Sequence, residues 1–364
     1  MSRKSLIFVS FFLITAVIFL HRSLFKTKPS SEKIYQNFNA LVFLEVVYQN
    51  DKLMIGSLSG FLINIDGEPF VISAGHLIRQ NGPDSIKEVT AFFKNDFEPQ
   101  SLKLVGYDIE IEDISLFSFE RESVKRKLLP YCAKIGDSDE LKAGQQVFSL
   151  GADLDIQFSF AAGHIKNLDL GSVYNPTSIR MGSDLYFQPQ LISHDANVNP
   201  GSSGGPLLNE CGAVVGVNQM IRLVNRPGAQ GYALASLIND VVKVIRIIKK
   251  EGEITYADLP FLVGETRLIG NYELFNLGIL RPQKNSPVIV YVAPEYADSG
   301  LREGDLIRFY QKEKVKSANE VMRSILIDSR PGETVFFTIE RGGELKTIEL
   351  KLKPKENKNE KCSL

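Results

Sequence analysis

The sequence predicts a mainly β protein, in which a barrel-forming region is followed by a smaller α+β domain. Over residues 34–234, short apolar segments alternate with turns rich in Gly, Pro, Asn and Asp. Closely spaced short strands of this kind are typical of all-β barrels. The clearest of these predicted strands are residues 41–47, 60–65, 70–73, 89–93 and 147–150.

A helix is predicted to follow the barrel region. Ser236 is expected to open it, and apolar residues then recur at helical spacing. Lys249 lies near its predicted end, where a cation is favoured, and Gly252 follows as a stop signal. We therefore assign residues 31–235 to a barrel domain and residues 236–254 to a linker helix.

The C-terminal region combines another helix with further strands. Asn319 is expected to cap this helix, and a Pro-Gly turn is predicted to lead from it into two strands. We expect an α+β domain at residues 255–353 and a disordered basic tail at residues 354–364. The apolar residues of the helix are Val321, Met322, Ile325 and Leu326, and the two strands are residues 335–340 and 347–352.

Length, charge and cysteine content narrow the functional classes. A chain of 364 residues is long enough for two or three domains, each with its own core. The net charge of −1 argues against nucleic acid as the main partner. Cys132, Cys211 and Cys362 match no metal-ligand spacing, so we expect no metal and no cofactor. A Cys132–Cys211 disulfide stays open as a hypothesis but is not assigned.

Residues 1–30 differ in composition from the rest of the chain. Arg3 and Lys4 precede an almost uninterrupted apolar run at residues 6–20. This run has the length of a signal peptide and is close to the minimum for a membrane span. No Ala-x-Ala-like cleavage site follows it. The sequence therefore favours an uncleaved membrane anchor over a cleaved signal segment, and both hypotheses remain open.

The most informative stretch is Asn-Pro-Gly-Ser-Ser-Gly-Gly-Pro-Leu, at residues 199–207. Gly201 and Gly204 tolerate positive φ angles, so that two backbone amides can converge on one point. Acyl transfer needs this arrangement, with a nucleophile at Ser203 and N–H donors from Gly201 and Ser203 aimed at a developing oxyanion. The oxyanion hole is accordingly predicted at Gly201, Ser202 and Ser203.

The same residues also satisfy Gly-x-Ser-x-Gly, the nucleophile elbow of α/β-hydrolases. That fold needs its catalytic base after the serine and a helix directly behind it. Residues 206–212 instead predict a short strand and a turn. All four histidines precede Ser203, namely His21, His76, His164 and His194. The α/β-hydrolase interpretation is therefore rejected, and the chain order His, Asp, Ser remains.

His76 is the predicted general base. It ends Val-Ile-Ser-Ala-Gly-His, a strand followed by small residues, which places the imidazole at a corner between strand and loop. His21 only flanks the N-terminal apolar run, and His164 lies in an apolar segment where a structural role is favoured. His194 is too close to Ser203 in sequence to come from the other barrel.

Asp113 is the predicted acid that orients His76. It begins Asp-Ile-Ser-Leu-Phe-Ser-Phe, an acid followed directly by an alternating strand. Its role would be to hold the imidazole tautomer and to stabilise the imidazolium as it forms. Three nearby acids could take this role instead, namely Asp108, Glu110 and Glu112. They are equally consistent with a solvated acidic turn, and Glu112 is the strongest alternative among them.

Together these motifs resemble those of the HtrA/Deg family of trypsin-like serine proteases over almost the whole chain. Val-Ile-Ser-Ala-Gly-His is similar to the histidine signature of trypsin-like proteases, and the segment from Asp113 resembles the strand that carries the triad aspartate. The chain resembles the family in five further segments, at residues 56–61, 105–108, 136–139, 193–201 and 231–234. The resemblance implies a chymotrypsin-like double β-barrel, with a specificity pocket at Asp195, Tyr232, Ala233 and Leu234.

Beyond the linker helix, the chain resembles the PDZ domain that follows the protease domain in this family. Residues 260–264 resemble the carboxylate-binding loop, whose backbone amides capture a peptide C-terminus. Leu-Arg-Glu-Gly-Asp-Leu-Ile, at residues 301–307, resembles the Leu-x-x-Gly-Asp-x-Ile core of PDZ domains. The peptide-binding residues implied by this resemblance are Leu262, Val263, Gly264, Met322 and Ile325.

The resemblance implies a serine endoprotease of the bacterial periplasm, anchored in the inner membrane. Family members are homotrimers that cleave misfolded or regulatory envelope proteins, so the expected partners are such proteins, C-terminal peptides and further copies of the chain. A narrow regulatory protease is favoured over bulk degradation. The alternative is a binding protein with an inactive protease fold. It stays open because Ser202 replaces the family's Asn and residues 152–155 replace its Asn-Pro-Phe-Gly.

Overall fold

The computed structural model describes residues 31–49, 53–79, 82–94, 97–153, 156–168, 190–222, 232–279 and 285–355. The predicted anchor at residues 1–30 and the end of the predicted tail lie outside these ranges. Among the helices of the described ranges, none has the length and the apolar character needed to cross a membrane. The described fold is mainly β, as predicted.

Six antiparallel strands form the first barrel: β1 (Leu41–Gln49), β2 (Leu53–Ile65), β3 (Glu68–Ala74), β4 (Ile86–Phe93), β5 (Gln100–Asp108) and β6 (Ile114–Phe119). They close in the order β1-β2-β3-β6-β5-β4. Along β1, Val42 and Leu44 are fully buried, whereas Glu45 is partly exposed. Because successive side chains of a strand point to opposite faces, this alternation gives the barrel its apolar interior.

Six further strands form the second barrel: β7 (Gln146–Asp153), β8 (Ile156–Asn167), β9 (Leu191–His194), β10 (Pro206–Asn209), β11 (Val214–Arg222) and β12 (Tyr232–Leu237). They close in the order β10-β11-β12-β9-β8-β7. The five strands named from the sequence each lie inside a strand of one of the two barrels. Short helices precede or connect the strands: α1 (Ser31–Gln36) lies before β1, and α2 (His76–Arg79) and α3 (Glu122–Leu128) follow β3 and β6. Further 3-10 turns lie at Asn37–Asn39, Pro83–Ser85 and Leu129–Tyr131.

The helix after the second barrel, α4 (Ile238–Glu251), begins two residues later than the sequence predicts. Ser236 belongs to β12, and its hydroxyl donates to the Glu112 carbonyl at 2.9 Å. The predicted boundary at residue 236 therefore falls inside a strand, because a buried hydrogen bond across the molecule extends β12. Gly252, with φ of 84°, ends the helix.

Helix α4 packs back onto the first barrel. Val241, Ile245 and Ile248 are completely buried and share a core with the strands of that barrel. The end of the helix also approaches β5 closely, since a Cβ added at Gly106 would lie 2.0 Å from the Gly252 carbonyl oxygen. In the amino-acid sequence, the second barrel therefore lies between the strands of the first barrel and the helix α4 that completes the core of that barrel.

The C-terminal domain is an α+β unit with the strands β13 (Phe261–Glu265), β14 (Pro287–Val292), β15 (Leu306–Tyr310), β16 (Glu313–Lys314), β17 (Thr334–Arg341) and β18 (Glu344–Lys351). Its helices are α5 (Asn271–Asn276) and α6 (Ala318–Leu326), with a 3-10 turn at Pro294–Ser299. The sheet runs β13-β14-β15-β17-β18, and β16 pairs with β15. Met322 and Ile325 of α6 pack with Phe261 and Phe337 in its core.

Ser317, and not Asn319, caps helix α6. The Ser317 hydroxyl accepts a hydrogen bond from the Glu320 amide at 3.1 Å, which satisfies one of the free N–H groups at a helix start. Asn319 lies inside the first turn and is buried, so the predicted cap was wrong. The better signal is Ser-x-x-Glu, the capping-box spacing, at residues 317–320.

Polar contacts fasten the C-terminal domain to the barrels. The Arg323 guanidinium of α6 lies 2.6 Å from Asp240 of α4 and 2.9 Å from Asp139. The Tyr256 hydroxyl donates to Asp108 at 2.6 Å, and the Lys355 ammonium lies 2.6 Å from Glu110. Lys355 falls within the predicted disordered tail, but this ion pair places it on the first barrel.

The cysteines of the described residues are free thiols. Cys132 is partly buried, and burial raises the pKa of its thiol to about 12, so the thiolate is not formed at neutral pH. Cys211 is exposed. The Cys132–Cys211 disulfide that the sequence left open is therefore not formed, and Cys362 lies outside the described residues.

Candidate active site

His76 and Asp113 are brought together by the pairing of β3 with β6. Ala74 lies opposite Ile114 in this pair, so the residues just beyond them are neighbours, and the Gly75 amide donates to the Asp113 carbonyl at 2.8 Å. His76 begins α2, and its Nδ1 lies 2.7 Å from Asp113 Oδ2. The imidazole is about one-third exposed, with 34% of its side-chain surface accessible, whereas the carboxylate is more enclosed at 13%.

The competing acids of the same loop have other contacts. Asp108 accepts hydrogen bonds from the Glu110 and Glu112 amides at 2.9 and 2.7 Å, so it fixes the shape of the loop. Glu112 is buried, and burial together with the nearby charges of Asp240 and Asp108 raises the pKa of its carboxyl well above the usual range. Among the acids of this loop, Asp113 alone contacts His76.

Ser203 lies between the two barrels, on the loop before β10. Its hydroxyl donates to the Gln219 carbonyl at 2.7 Å. Within the described part of the chain, no hydrogen bond joins this hydroxyl to His76. The structure therefore brings His76 and Asp113 into contact, and it holds Ser203 on a backbone acceptor of β11.

The peptide groups around Ser203 can be accounted for one by one. The Ser202 amide donates to the Asn199 carbonyl at 3.0 Å, the Gly205 amide to the Ser202 carbonyl at 3.0 Å, and the Gly204 amide to the Asn218 carbonyl at 2.7 Å. The Gly201 and Ser203 amides donate to none of the described residues. Two free N–H groups thus remain at the positions predicted for an oxyanion hole, and the Ser202 amide is not one of them.

Close contacts explain the glycines of this loop. Gly201 has a φ of 101°, and a Cβ there would lie 2.4 Å from the Ala152 carbonyl oxygen. Gly204 has a φ of 84°, and a Cβ there would lie 2.3 Å from the Ser59 carbonyl oxygen. Both the backbone angle and the space exclude any larger residue at these two positions.

Two residues that reasoning from sequence did not select lie at the centre of the site. Ser59 of β2 is buried and bonds to the loop of Ser203 through both its side chain and its backbone. Gln219 of β11 supplies the acceptor for Ser203, and its side-chain amide donates to the Glu112 carbonyl at 2.8 Å. Ser59 falls in a run that resembles a family element, but a buried serine or glutamine has no sequence pattern of its own.

The predicted specificity-pocket residues are arranged around β12. Ala233 and Leu234 are buried and pair with His194 and Ser193 of β9. Tyr232 begins the strand and is partly exposed. Asp195 is exposed, and its carboxylate accepts the His164 amide at 2.6 Å, which ties β8 to the end of β9.

His194 is completely buried inside the second barrel. Neither of its ring nitrogens has a hydrogen-bond partner among the described residues. Burial lowers the pKa of its imidazole to about 4, although nearby Asn218 and Asp195 favour the protonated form. The imidazole is therefore neutral at pH 7 and belongs to the interior of the second barrel.

The predicted peptide-binding residues lie on β13 and α6. Leu262 is partly exposed, and Val263, Met322 and Ile325 are buried between the sheet and the helix. Gly264 is also buried, but it lies against Ile269 and Val290 and not against α6. Strand β13 forms the end of the sheet, with β14 as its neighbour. Its other edge has no strand partner in the described residues, which is the geometry that accepts an added peptide strand.

Comparison with known proteins agrees with this architecture. A family described as trypsin-like peptidase domain matches residues 58–217, which include His76, Asp113 and Ser203. A family described as PDZ domain matches residues 276–352. The two matches fall on the double barrel and on the C-terminal α+β unit, respectively.

Curated relatives carry both parts. "Serine protease Do-like HtrA" of Lactobacillus helveticus is 29% identical over 79% of this chain and 65% of its own length, and its Bacillus subtilis namesake is 28% identical over 83% and 65%. A "Probable periplasmic serine endoprotease DegP-like" of Marinomonas is 30% identical over 82% of this chain and 57% of its own length. The chain is thus similar to HtrA and DegP-like serine proteases, and it carries a trypsin-like peptidase domain followed by a PDZ domain. It spans less than two thirds of the length of these relatives.

Solved structures support the HtrA fold. The structure named "HtrA-type protease AlgW with tripeptide" superposes with a TM-score of 0.67, at 18% identity, over 90% of this chain and 98% of its own. A serine endoprotease from Yersinia pestis gives a TM-score of 0.55 at 16% identity, over 89% and 97%. At such identities the likeness concerns the fold. The predicted double barrel followed by a PDZ domain is confirmed.

Proposed function

We propose that this chain is a serine endoprotease in which His76, Asp113 and Ser203 form the catalytic triad. The observation that carries the proposal is the contact of 2.7 Å between His76 Nδ1 and Asp113 Oδ2, beside a loop that presents two free amides and the Ser203 hydroxyl. The similarity to curated HtrA and DegP-like serine proteases supports the same reaction class. No cofactor takes part in this mechanism.

The reaction begins with a rotation of the Ser203 side chain. The hydroxyl leaves the Gln219 carbonyl and turns to Nε2 of His76, which takes its proton as Ser203 Oγ attacks the substrate carbonyl carbon. The Gly201 and Ser203 amides then stabilise the oxyanion of the tetrahedral intermediate. Asp113 holds the proton-bearing Nδ1 and stabilises the imidazolium, which next protonates the leaving amine. Water repeats the attack on the acyl-enzyme and releases the second product.

The PDZ domain gives the protease its second binding site in this proposal. A C-terminal peptide would add to the free edge of β13, with its carboxylate at the loop of residues 260–264. The likeness to HtrA-type structures named with bound peptides supports this role. The substrates are unfolded or regulatory proteins of the periplasm, and the active form is a homotrimer anchored by residues 1–30. The proposed domains are residues 31–235 for the protease domain, 236–254 for the linker helix, whose first helical residue is Ile238, and 255–353 for the PDZ domain.

The test uses the full chain with a Ser203→Ala control. Labelling by a fluorophosphonate probe reports a competent serine, and cleavage of an unfolded protein, with and without hydrophobic C-terminal peptides, reports proteolysis and its regulation. We expect Ser203-dependent labelling and cleavage, with cleavage rising when peptide is added. Peptide binding without any labelling of Ser203 would instead identify a binding protein on an inactive protease fold.

A further inference from the structure

We infer that Ser59 is a positioning residue that sets the oxyanion hole from the opposite barrel. Ser59 lies on β2 of the first barrel, whereas Gly201 and Ser203 lie on a loop of the second barrel. This inference rests on the proposed protease function, because it concerns the same site. Ser59 does not touch the reacting atoms, and its effect passes through the backbone of the nucleophile loop.

Four hydrogen bonds converge on Ser59. Its hydroxyl donates to the Gly201 carbonyl at 2.7 Å and accepts from the Ala152 amide at 2.8 Å. Its amide donates to the Ser203 carbonyl at 3.0 Å, and its carbonyl accepts from the Ser73 hydroxyl at 2.7 Å. With 1% of its surface exposed, Ser59 has no water to replace these partners.

These bonds fix peptide planes on both sides of the nucleophile. A peptide is planar, with its N–H directed away from its C=O, so a bond to one group orients the other. Ser59 holds the carbonyls of Gly201 and Ser203, while the Gly205 amide holds the carbonyl of Ser202. The Ser203 N–H belongs to the Ser202–Ser203 peptide, which the Gly205 amide orients directly. The two peptides that Ser59 holds flank this peptide on either side and restrict its rotation.

Gly201 is the position that most needs this restraint. Its lack of a Cβ allows a φ of 101°, but it also leaves the adjoining peptides free to rotate. The Ser59 hydroxyl bonds the Gly201 carbonyl and the Ala152 amide together, so it locks the turn against the end of β7. Without the hydroxyl, both groups would lose a buried partner.

The packing around Ser59 leaves room only for a small side chain. A Cβ added at Gly151 would lie 3.0 Å from the Ser59 hydroxyl oxygen, and one at Gly205 would lie 3.2 Å from its Cβ. Gly204 would meet the Ser59 carbonyl oxygen at 2.3 Å. Three glycines therefore border this serine, which is the arrangement expected if a small side chain with a donor and an acceptor is required.

The experiment compares Ser59→Ala with Ser85→Ala in the full chain. Ser85 is an apt control because it is a buried serine of the same barrel whose hydroxyl donates to a carbonyl, that of Gly82, at 2.7 Å. The readouts are the second-order rate of fluorophosphonate labelling, whose phosphoryl oxygen must enter the oxyanion hole, and the split between kcat and KM for proteolysis. Thermal unfolding shows whether each variant is folded.

We expect Ser59→Ala to label about tenfold more slowly or worse, with kcat reduced and KM nearly unchanged, since removal of one oxyanion donor costs about a hundredfold or more. Ser85→Ala should label at the wild-type rate with a similar loss of thermal stability. Ser59→Cys, which keeps a small side chain with a weak donor, should label at an intermediate rate.

The outcomes separate this inference from the proposed function. If the wild-type chain does not label at all, the protease proposal fails and the role of Ser59 fails with it. If the wild type labels and a folded Ser59→Ala variant labels equally fast, only the role of Ser59 is overturned. The same conclusion follows if Ser59→Ala is unfolded and folded Ser59→Cys matches the wild type.

Discussion

Single polar residues at this site are placed by backbone contacts more than by one another. The Ser203 hydroxyl rests on the Gln219 carbonyl, and exchanging that bond for one to His76 costs little, because a hydrogen bond contributes about 0.5–1.5 kcal/mol net. The movement is one rotation between staggered positions of the side chain. If Ser203 is the nucleophile, as proposed, the contact with Gln219 is a resting position that a bound substrate displaces.

His194 provides a prediction at this scale. Its folded-state pKa of about 4 lies below the ordinary value of 6.5, so the unfolded chain binds a proton more readily. Above pH 6.5 the imidazole is neutral in both states and does not lower the free energy of unfolding. As the pH falls from 6.5 towards 4, the unfolded chain binds a proton first, and the free energy of unfolding decreases by about 3 kcal/mol. Urea unfolding across this range should show a weaker pH dependence for His194→Gln than for the wild type. His164→Gln is the control, because its side chain is 60% exposed; equal pH slopes for His194→Gln and wild type would contradict the prediction.

At the scale of elements, the loop before β6 connects Asp113 to the C-terminal domain. Asp108 in this loop bonds Tyr256, and the carbonyl of Glu112 holds Gln219 and Ser236 of the second barrel. Helix α6 approaches the same region through Arg323, which pairs with Asp240. In the proposed function, a peptide bound beside α6 would act on a helix that is already bonded to the region around Asp113.

The Arg323–Asp240 pair can be tested by a double-mutant cycle. Asp240 is 2% exposed, and its burial raises the pKa of the carboxyl despite the attraction of Arg323. Arg323→Met leaves this acid buried without its main partner, so we expect a loss of about 3 kcal/mol in the free energy of unfolding. Adding Asp240→Asn should recover part of that loss. The cycle also needs Asp240→Asn alone, and a double mutant whose loss equals the sum of the two single losses would show that the pair does not couple.

Much of each element could be predicted from the sequence, because the causes are local. Alternating apolar residues defined the strands, and the glycines around Ser203 marked a turn that needs positive φ. The start of α4 and the cap of α6 were misplaced, since Ser236 is held in β12 by the distant Glu112 carbonyl and Ser317 competes with Asn319 over a few residues. Ser59 and Gln219 were missed because their partners are distant in sequence, and no local pattern records such a contact.

At the scale of the whole molecule, close contact between backbone segments adds to the burial of apolar side chains. Gly106 of β5 lies against the end of α4, where an added Cβ would meet Ile248 at 2.6 Å and the Gly252 carbonyl at 2.0 Å. This contact joins the first barrel to the helix that leads into the PDZ domain. Substitution there must move the helix end, since a backbone atom cannot swing aside.

Gly106→Ala is therefore expected to destabilise the chain. The helix end must shift to admit the methyl group, and overpacking of this kind costs about 1–3 kcal/mol. Thermal unfolding should show a lower midpoint for Gly106→Ala. Gly270→Ala is the matched control, because its nearest neighbour would be 4.0 Å away, and its midpoint should stay close to that of the wild type. Equal midpoints for the two variants would refute the packing argument.

The return of α4 to the first barrel has a consequence for synthesis. Val241, Ile245 and Ile248 belong to the core of a barrel whose own strands end at Phe119. A ribosome must therefore translate the entire second barrel and then the helix before the first barrel can complete its interior. His76 and Asp113 reach their final support only after Ser203 has already been made. The interior of the first barrel is therefore completed only after synthesis has reached the end of α4 at Glu251, an order that follows from the chain topology.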